Sequence, residues 1–135
     1  MRPRIQQELK LLREVYPDIE HLEKDGEDWF RLVDYPFPSG WRLAEAPISQ
    51  ANVLFKLSAG YPMAEPYGFL TPAGVNFEGK TPSNTCSAPC AAFPGSWTQF
   101  SWAPEGTWTP SSEIERGSNL LSWVRSFAQR LKEGA

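Results

Sequence analysis

Histidine is almost missing from this chain, with His21 the only one among 135 residues. A zinc site that needs two histidines is thereby excluded. Two cysteines with one distant histidine make a poor ligand set, so neither a metal nor a cofactor is expected. Cysteine is nearly as scarce: Cys86 and Cys90 cannot build the disulfide framework of a small secreted domain, and the expected compartment is a reducing cytoplasm. Long apolar runs are missing too. The longest is far too short to cross a bilayer, and the segment after Arg2, Pro3 and Arg4 is amphipathic where a signal peptide is apolar, so no membrane partner is expected. Positive charge is not in excess. Thirteen Lys and Arg against 16 Asp and Glu leave a net charge of −3, which gives the molecule no basic footprint for nucleic acid.

Apolar and aromatic residues, by contrast, are plentiful. The chain is 41% hydrophobic, with six Trp, four Tyr and eight Phe, which excludes intrinsic disorder and suits one folded domain over residues 1–135. Ile5, Leu9, Leu12, Val15 and Tyr16 fall at helical spacing, with Pro3 suited to the first turn and Pro17 to the stop. Leu120, Leu121, Val124, Phe127, Ala128 and Leu131 predict a second helix. Ser112 and Glu115 have capping-box spacing and allow that helix to open as early as Glu113, while Gly117 argues for a start near Ser118. Between the helices, Ile19–Lys24 and Asp28–Asp34 read as a hairpin about Asp25–Gly26, followed by strands at Trp41–Glu45, Asn52–Leu57 and Tyr67–Thr71. The fold class is therefore α+β: an N-terminal helix, an antiparallel β-meander, a long loop and a C-terminal helix, with the helices packed on one sheet.

From Thr81 to Pro104 no residue is charged. The span holds both cysteines and two tryptophans. A loop this long without secondary structure is usually functional or disordered. Its aromatics speak for an ordered segment lying on the body of the domain, as a packed cover over the sheet or as a functional surface.

The stretch Gly60-Tyr61-Pro62-Met63-Ala64-Glu65-Pro66, then Phe69-Leu70-Thr71, and later Trp108-Thr109-Pro110 before the last helix, resembles the ubiquitin-conjugating (E2, UBC-like) superfamily, and most of all the divergent bacterial E2-like proteins of ubiquitin-like conjugation operons. The resemblance implies a carrier that accepts a ubiquitin-like modifier from an E1-like activating enzyme and passes it to a target protein amine. Independently of any family, Tyr61-Pro62 and Pro66 restrict backbone angles in a crossover, and Trp108 is a large apolar anchor; both are first of all architecture. The family's His-Pro-Asn signature is absent. Asn76 lies near the corresponding position and Asn84 is the other candidate, although either serves equally as a turn former.

The resemblance leaves the acyl acceptor open. Counting forward from Tyr61 arrives near Cys86, whereas counting back from Trp108 arrives at Phe100–Ser101, because the chain carries extra residues between the two landmarks. The candidates are Ser101, Cys86 and Cys90. The cysteines sit in loop-like sequence that reads as the insertion itself. Trp97, Phe100 and Trp102 can fix the backbone around Ser101, which favours the serine. A serine would carry the modifier as an oxyester and needs a base, yet His21 is distant and the nearest carboxylate in sequence is Glu105. Arg2, Arg4, Lys10 and Arg13 make the first helix the most basic part of the chain, where the resemblance implies contact with the E1-like enzyme. An E2-variant module that has lost its acceptor and only binds is the alternative that the missing signature favours.

Overall fold

Ile5, Leu9 and Leu12 form the buried stripe of α1 (Pro3–Val15), with Pro3 at its first position and Pro17 just beyond its end. The computed structural model describes residues 2–90 and 92–135. β1 (Glu20–Lys24) and β2 (Glu27–Pro36) form the expected hairpin. Asp25 and Gly26 between them take φ of +51° and +79°, the pair of left-handed conformations that a type I′ turn requires. β2 pairs on its other side with β5 (Gln50–Leu57), through a register that slips by one residue between Leu32 and Tyr35. That bulge has a packing consequence. Phe30 and Leu32 face the helices, and the extra residue restores the same facing to Tyr35, whose hydroxyl donates to the Val124 carbonyl at 2.8 Å.

β3 (Trp41–Leu43) and β4 (Ala46–Pro47) lie between β2 and β5, and β6 (Phe69–Pro72) and β7 (Val75–Phe77) follow. β8 (Thr85–Ala88), β9 (Trp97–Phe100) and α2 (Leu120–Lys132) complete the order. The strands make a six-stranded antiparallel sheet, β1-β2-β5-β6-β9-β8, and a small second sheet, β4-β3-β7. The inner face of the six-stranded sheet packs on both helices: Phe30, Phe55, Phe69 and Phe100 share one core with Leu9 and Leu12 of α1 and Leu120, Val124 and Phe127 of α2. Its outer face is covered as well. Phe93 and Trp97 close over Trp29, Leu54 and Leu70, with the Arg31 guanidinium 4.8 Å above the Phe93 ring.

Three expectations need correcting. The uncharged span is no structureless loop, because β8 and β9 extend the sheet by two strands. Trp97 and Phe100 face opposite sides, both apolar, and β8 reads Thr-Cys-Ser-Ala, so neither strand carries the alternation that announces one. A second sheet exists beside the expected one, built from strands of two and three residues, too short to leave a pattern. The last helix starts at Leu120, capped reciprocally by Asn119 and Ser122, and the Glu113 alternative leads only into a single 3₁₀ turn, Ile114–Arg116. Among the described residues no helix is long and apolar enough to cross a membrane.

Candidate functional site

Ser101 follows directly on β9, and its backbone is fixed from three directions. The amide of Ser101 donates to the Asn84 carbonyl at 2.9 Å. Phe100 before it is fully buried, and Trp102 after it donates its indole N–H to Ser126 Oγ of α2 at 3.1 Å. The serine itself is exposed. The aromatic residues on either side thus hold the position rigid and leave the hydroxyl in solvent.

The strand register brings the cysteine alternative to the same place. Cys86 pairs with Gln99, and strand pleating turns Cys86, Gln99 and Ser101 toward the outer face. Cys86 and Ser101 are therefore diagonal neighbours on adjacent strands, about 7–8 Å apart by strand geometry. Two positions that compete along the sequence share one patch. Cys86 lies within a strand and is exposed, so its segment is not a mere inserted loop. Cys90 differs: it is half-buried, its sulfur accepts the Phe93 amide at 3.3 Å, and it lines a cleft of about 340 Å³ with Trp29, Lys56, Tyr67 and Gln99.

Asn84 stands opposite Ser101, in a left-handed conformation with φ of +57° that asparagine tolerates well. Among the described residues its side-chain amide makes no hydrogen bond. Asn76 is committed elsewhere. Its Nδ2 donates to the carbonyls of Ala44 at 2.8 Å and Gly74 at 3.1 Å, and its Oδ1 accepts the Gly79 amide at 2.9 Å. Both of its protons tie the small sheet together, so Asn76 has none left for an oxyanion beside Ser101.

The entry to β8 is pinned by a residue that reads, along the sequence, only as a favourable cation in the last turn of α2. Arg130 of α2 is buried, donates to the carbonyls of Ser83 at 3.0 Å and Gly134 at 2.7 Å, and lies 5.0 Å over the Phe100 ring. Burial lowers its pKa from the ordinary arginine value. Glu8 is a residue that the sequence reading passed over. It falls on the apolar stripe of α1 between Ile5 and Leu12, and a carboxylate on that stripe is the signal that could have found it. It accepts from the Tyr61 hydroxyl at 2.5 Å, the Leu120 amide at 2.6 Å and Arg4 at 2.9 Å, binding α1, the crossover and the start of α2 together.

The two landmarks quoted from the sequence meet in space. The Trp108 indole N–H donates to the Pro62 carbonyl at 2.7 Å, and the Tyr61–Pro62 peptide is cis. Between the Pro104–Trp108 segment and α2 runs a cleft of about 450 Å³, lined by Trp108, Leu121 and Trp123 together with Glu65, Glu105, Arg125 and Gln129. Ser101 is not among its lining residues.

No base reaches the candidate acceptors among the described residues. His21 sits on β1, at the edge of the sheet opposite β8, with its Nε2 2.7 Å from Asp28 Oδ1 and its ring against Phe30. Together with Glu23, this pair is the one group among the described residues whose ligand atoms cluster, within 4.8 Å, closely enough for a metal ion, and its histidine nitrogen is already engaged by Asp28. The basic face of α1 is smaller than expected. Arg2 donates to the carbonyls of Ser58 at 3.2 Å, Ala59 at 3.1 Å and Tyr61, and Arg4 to Glu8 and the Ser111 carbonyl, which leaves Lys10 and Arg13 on the exposed side. Comparison with protein families, curated proteins and solved structures finds no match to this chain.

Proposed function

We propose that this chain is an E2-like carrier in a ubiquitin-like conjugation pathway of the bacterial type. It accepts a modifier from an E1-like activating enzyme and transfers it to a target protein amine. The observation that carries this reading is an exposed hydroxyl on an immobilised backbone: Ser101 stands in solvent between buried Phe100 and anchored Trp102. A side chain that must meet a large activated partner needs access and a fixed position together, and this one has both.

In the first step Ser101 Oγ attacks the carbonyl of the modifier's thioester. The O–C bond forms, the C–S bond breaks, and the hydroxyl proton leaves with the departing thiol. In the second step an amine attacks the oxyester, the amide forms, and Ser101 recovers its proton. Cys86 would perform the same exchange as a thioester, with a better leaving group for the second step. Cys90, half-buried and accepting a backbone hydrogen bond, is the least accessible of the three.

A second reading has its own observation. Neither Ser101 Oγ nor Cys86 Sγ has a hydrogen-bonding base among the described residues, which favours an E2-variant module that binds a modifier or a partner enzyme without carrying it. One experiment separates the readings: the protein is incubated with ATP, an E1-like enzyme and its ubiquitin-like modifier, and adducts are resolved with and without reductant. An adduct that resists reductant, yields to hydroxide and vanishes in Ser101→Ala supports the serine. A reductant-sensitive adduct lost in Cys86→Ser or Cys90→Ser supports a cysteine. No adduct under any condition sinks the carrier and leaves the binding module.

A further inference from the structure

The six-stranded sheet ends in two open edges, β1 and β8. They are treated differently. β1 carries Glu20, His21, Glu23 and Lys24, the kind of charge that keeps sheet edges from pairing with one another. β8 reads Thr85-Cys86-Ser87-Ala88, with no charge, no proline and no bulge, in a span that is uncharged from Thr81 to Pro104.

The register tells which backbone groups on β8 are free. The Ser101 amide bonds the Asn84 carbonyl, so Asn84 and Ser101 form a hydrogen-bonded pair. By antiparallel alternation Cys86–Gln99 and Ala88–Trp97 are hydrogen-bonded pairs as well. The N–H and C=O groups of Thr85 and Ser87 therefore point away from β9, and among the described residues nothing bonds them.

We propose that this edge pairs antiparallel with the same edge of a second copy of this chain, about a two-fold axis at Cys86. The choice of axis follows from the free groups. Centred on Cys86, Thr85 exchanges bonds with Ser87 of the second copy and Ser87 with its Thr85, so every outward N–H and C=O of β8 is used. Centred on Ser87, Thr85 would face Pro89, which has no N–H. Centred on Thr85, Ser87 would face Ser83, whose carbonyl Arg130 already holds at 3.0 Å. Only the Cys86 axis satisfies the strand, and with no charge on it the pairing meets no like-charge repulsion.

The two Cys86 residues then face each other as a non-hydrogen-bonded pair, with Cα atoms about 4.5 Å apart, inside the roughly 4.4–6.8 Å that a disulfide spans. Four residues make a short contact, so the association is weak and rises with concentration. The pair sits at the candidate acceptor patch but does not depend on it being an acceptor.

The test uses the whole protein and diamide as the two-electron oxidant. The expected product is a reductant-reversible dimer linked through Cys86, abolished by Cys86→Ser and retained in Cys90→Ser. Ser87→Pro removes an outward N–H, and Ser87→Lys adds a charge to the edge. Both are expected to slow crosslinking at least several-fold while the reaction of Cys86 with a small thiol reagent keeps its rate. Amide exchange at Thr85 and Ser87 is expected to slow as protein concentration rises. Crosslinking indifferent to both Ser87 variants overturns the proposal, since it would then report random collision. So does exchange at Thr85 and Ser87 that ignores protein concentration, or that slows only when another protein is added, which would give the edge to a different occupant.

Discussion

The Tyr61 hydroxyl donates to the Glu8 carboxylate at 2.5 Å, across 53 positions of sequence. Glu8 is buried and answers two further donors, the Leu120 amide and Arg4. Glu8→Ala strands the Tyr61 hydroxyl and the Leu120 amide and takes from Arg4 its carboxylate partner, and a loss of about 3–5 kcal/mol is expected in denaturant titration. Glu8→Gln keeps one acceptor oxygen and costs less. In a double-mutant cycle with Tyr61→Phe, a coupling of about 1–3 kcal/mol is expected; strict additivity would show that the two groups do not interact.

Alkaline pH should weaken the fold through two phenols. Burial raises the Tyr61 pKa above its ordinary value, and its hydrogen bond to Glu8 raises it further; burial does the same to Tyr35. The folded state favours the neutral phenols, while the unfolded chain ionises at about pH 10. Their contribution is therefore complete below about pH 10 and declines as pH rises toward the folded values. Denaturation midpoints measured through this range should fall in the parent and fall less steeply in Tyr61→Phe, even though that variant is weaker at neutral pH.

The two cysteines should differ in reactivity. Cys86 is exposed on an edge strand, whereas Cys90 is half-buried with its sulfur accepting the Phe93 amide. Timed alkylation of the native protein followed by mass spectrometry should label Cys86 first. Equal rates, or Cys90 ahead, would mean that the cover over the outer face opens faster than the reagent reacts.

Gly68 bears on the acceptor patch from the position just before β6. Its φ is +79°, and a Cβ there would stand 3.0 Å from the Phe100 carbonyl and 3.3 Å from the Gln99 side chain. Gly68→Ala therefore combines backbone strain with a push on the residues that lead into Ser101. A loss of about 1–3 kcal/mol is expected in thermal melts, together with faster amide exchange at Ser101. A variant as stable as the parent would show that β9 yields without cost.

Arg130 fastens the chain just before Asn84 by bonding the Ser83 carbonyl, from a position four residues before Gly134, whose carbonyl it also holds. Arg130→Met keeps much of the buried stem and removes the donors. Faster amide exchange around Ser83–Thr85 is expected, with the first half of α2 unchanged; uniform loosening of the whole helix would contradict this role.

Much of the frame could be read along the chain. The stripes of α1 and α2, the Asp25–Gly26 turn and the strand read at Asn52–Leu57 are local patterns, each set by neighbours within a few positions. The candidate acceptors were legible by residue type, but the two counts to them disagreed. Their meeting on one face depends on Cys86 pairing with Gln99, and pairing between strands leaves no periodic mark in a four-residue run. Glu8 was hidden because polarity alone reads as a wet face, and only the arrival of Leu120, Tyr61 and Arg4 makes its burial tolerable.

By itself the sequence determined the α+β class, the two helices, the first hairpin and the shortage of metal ligands, because hydrophobic period, turn chemistry and composition act locally or by simple inventory. The tertiary structure decided that the uncharged span becomes two more strands, that Ser101 and Cys86 share a patch, that Asn76 is occupied, and that β8 ends the sheet without charge. Each of these follows from which backbone groups find partners far along the chain, and hydrogen bonding between distant segments is settled only when the whole fold is assembled.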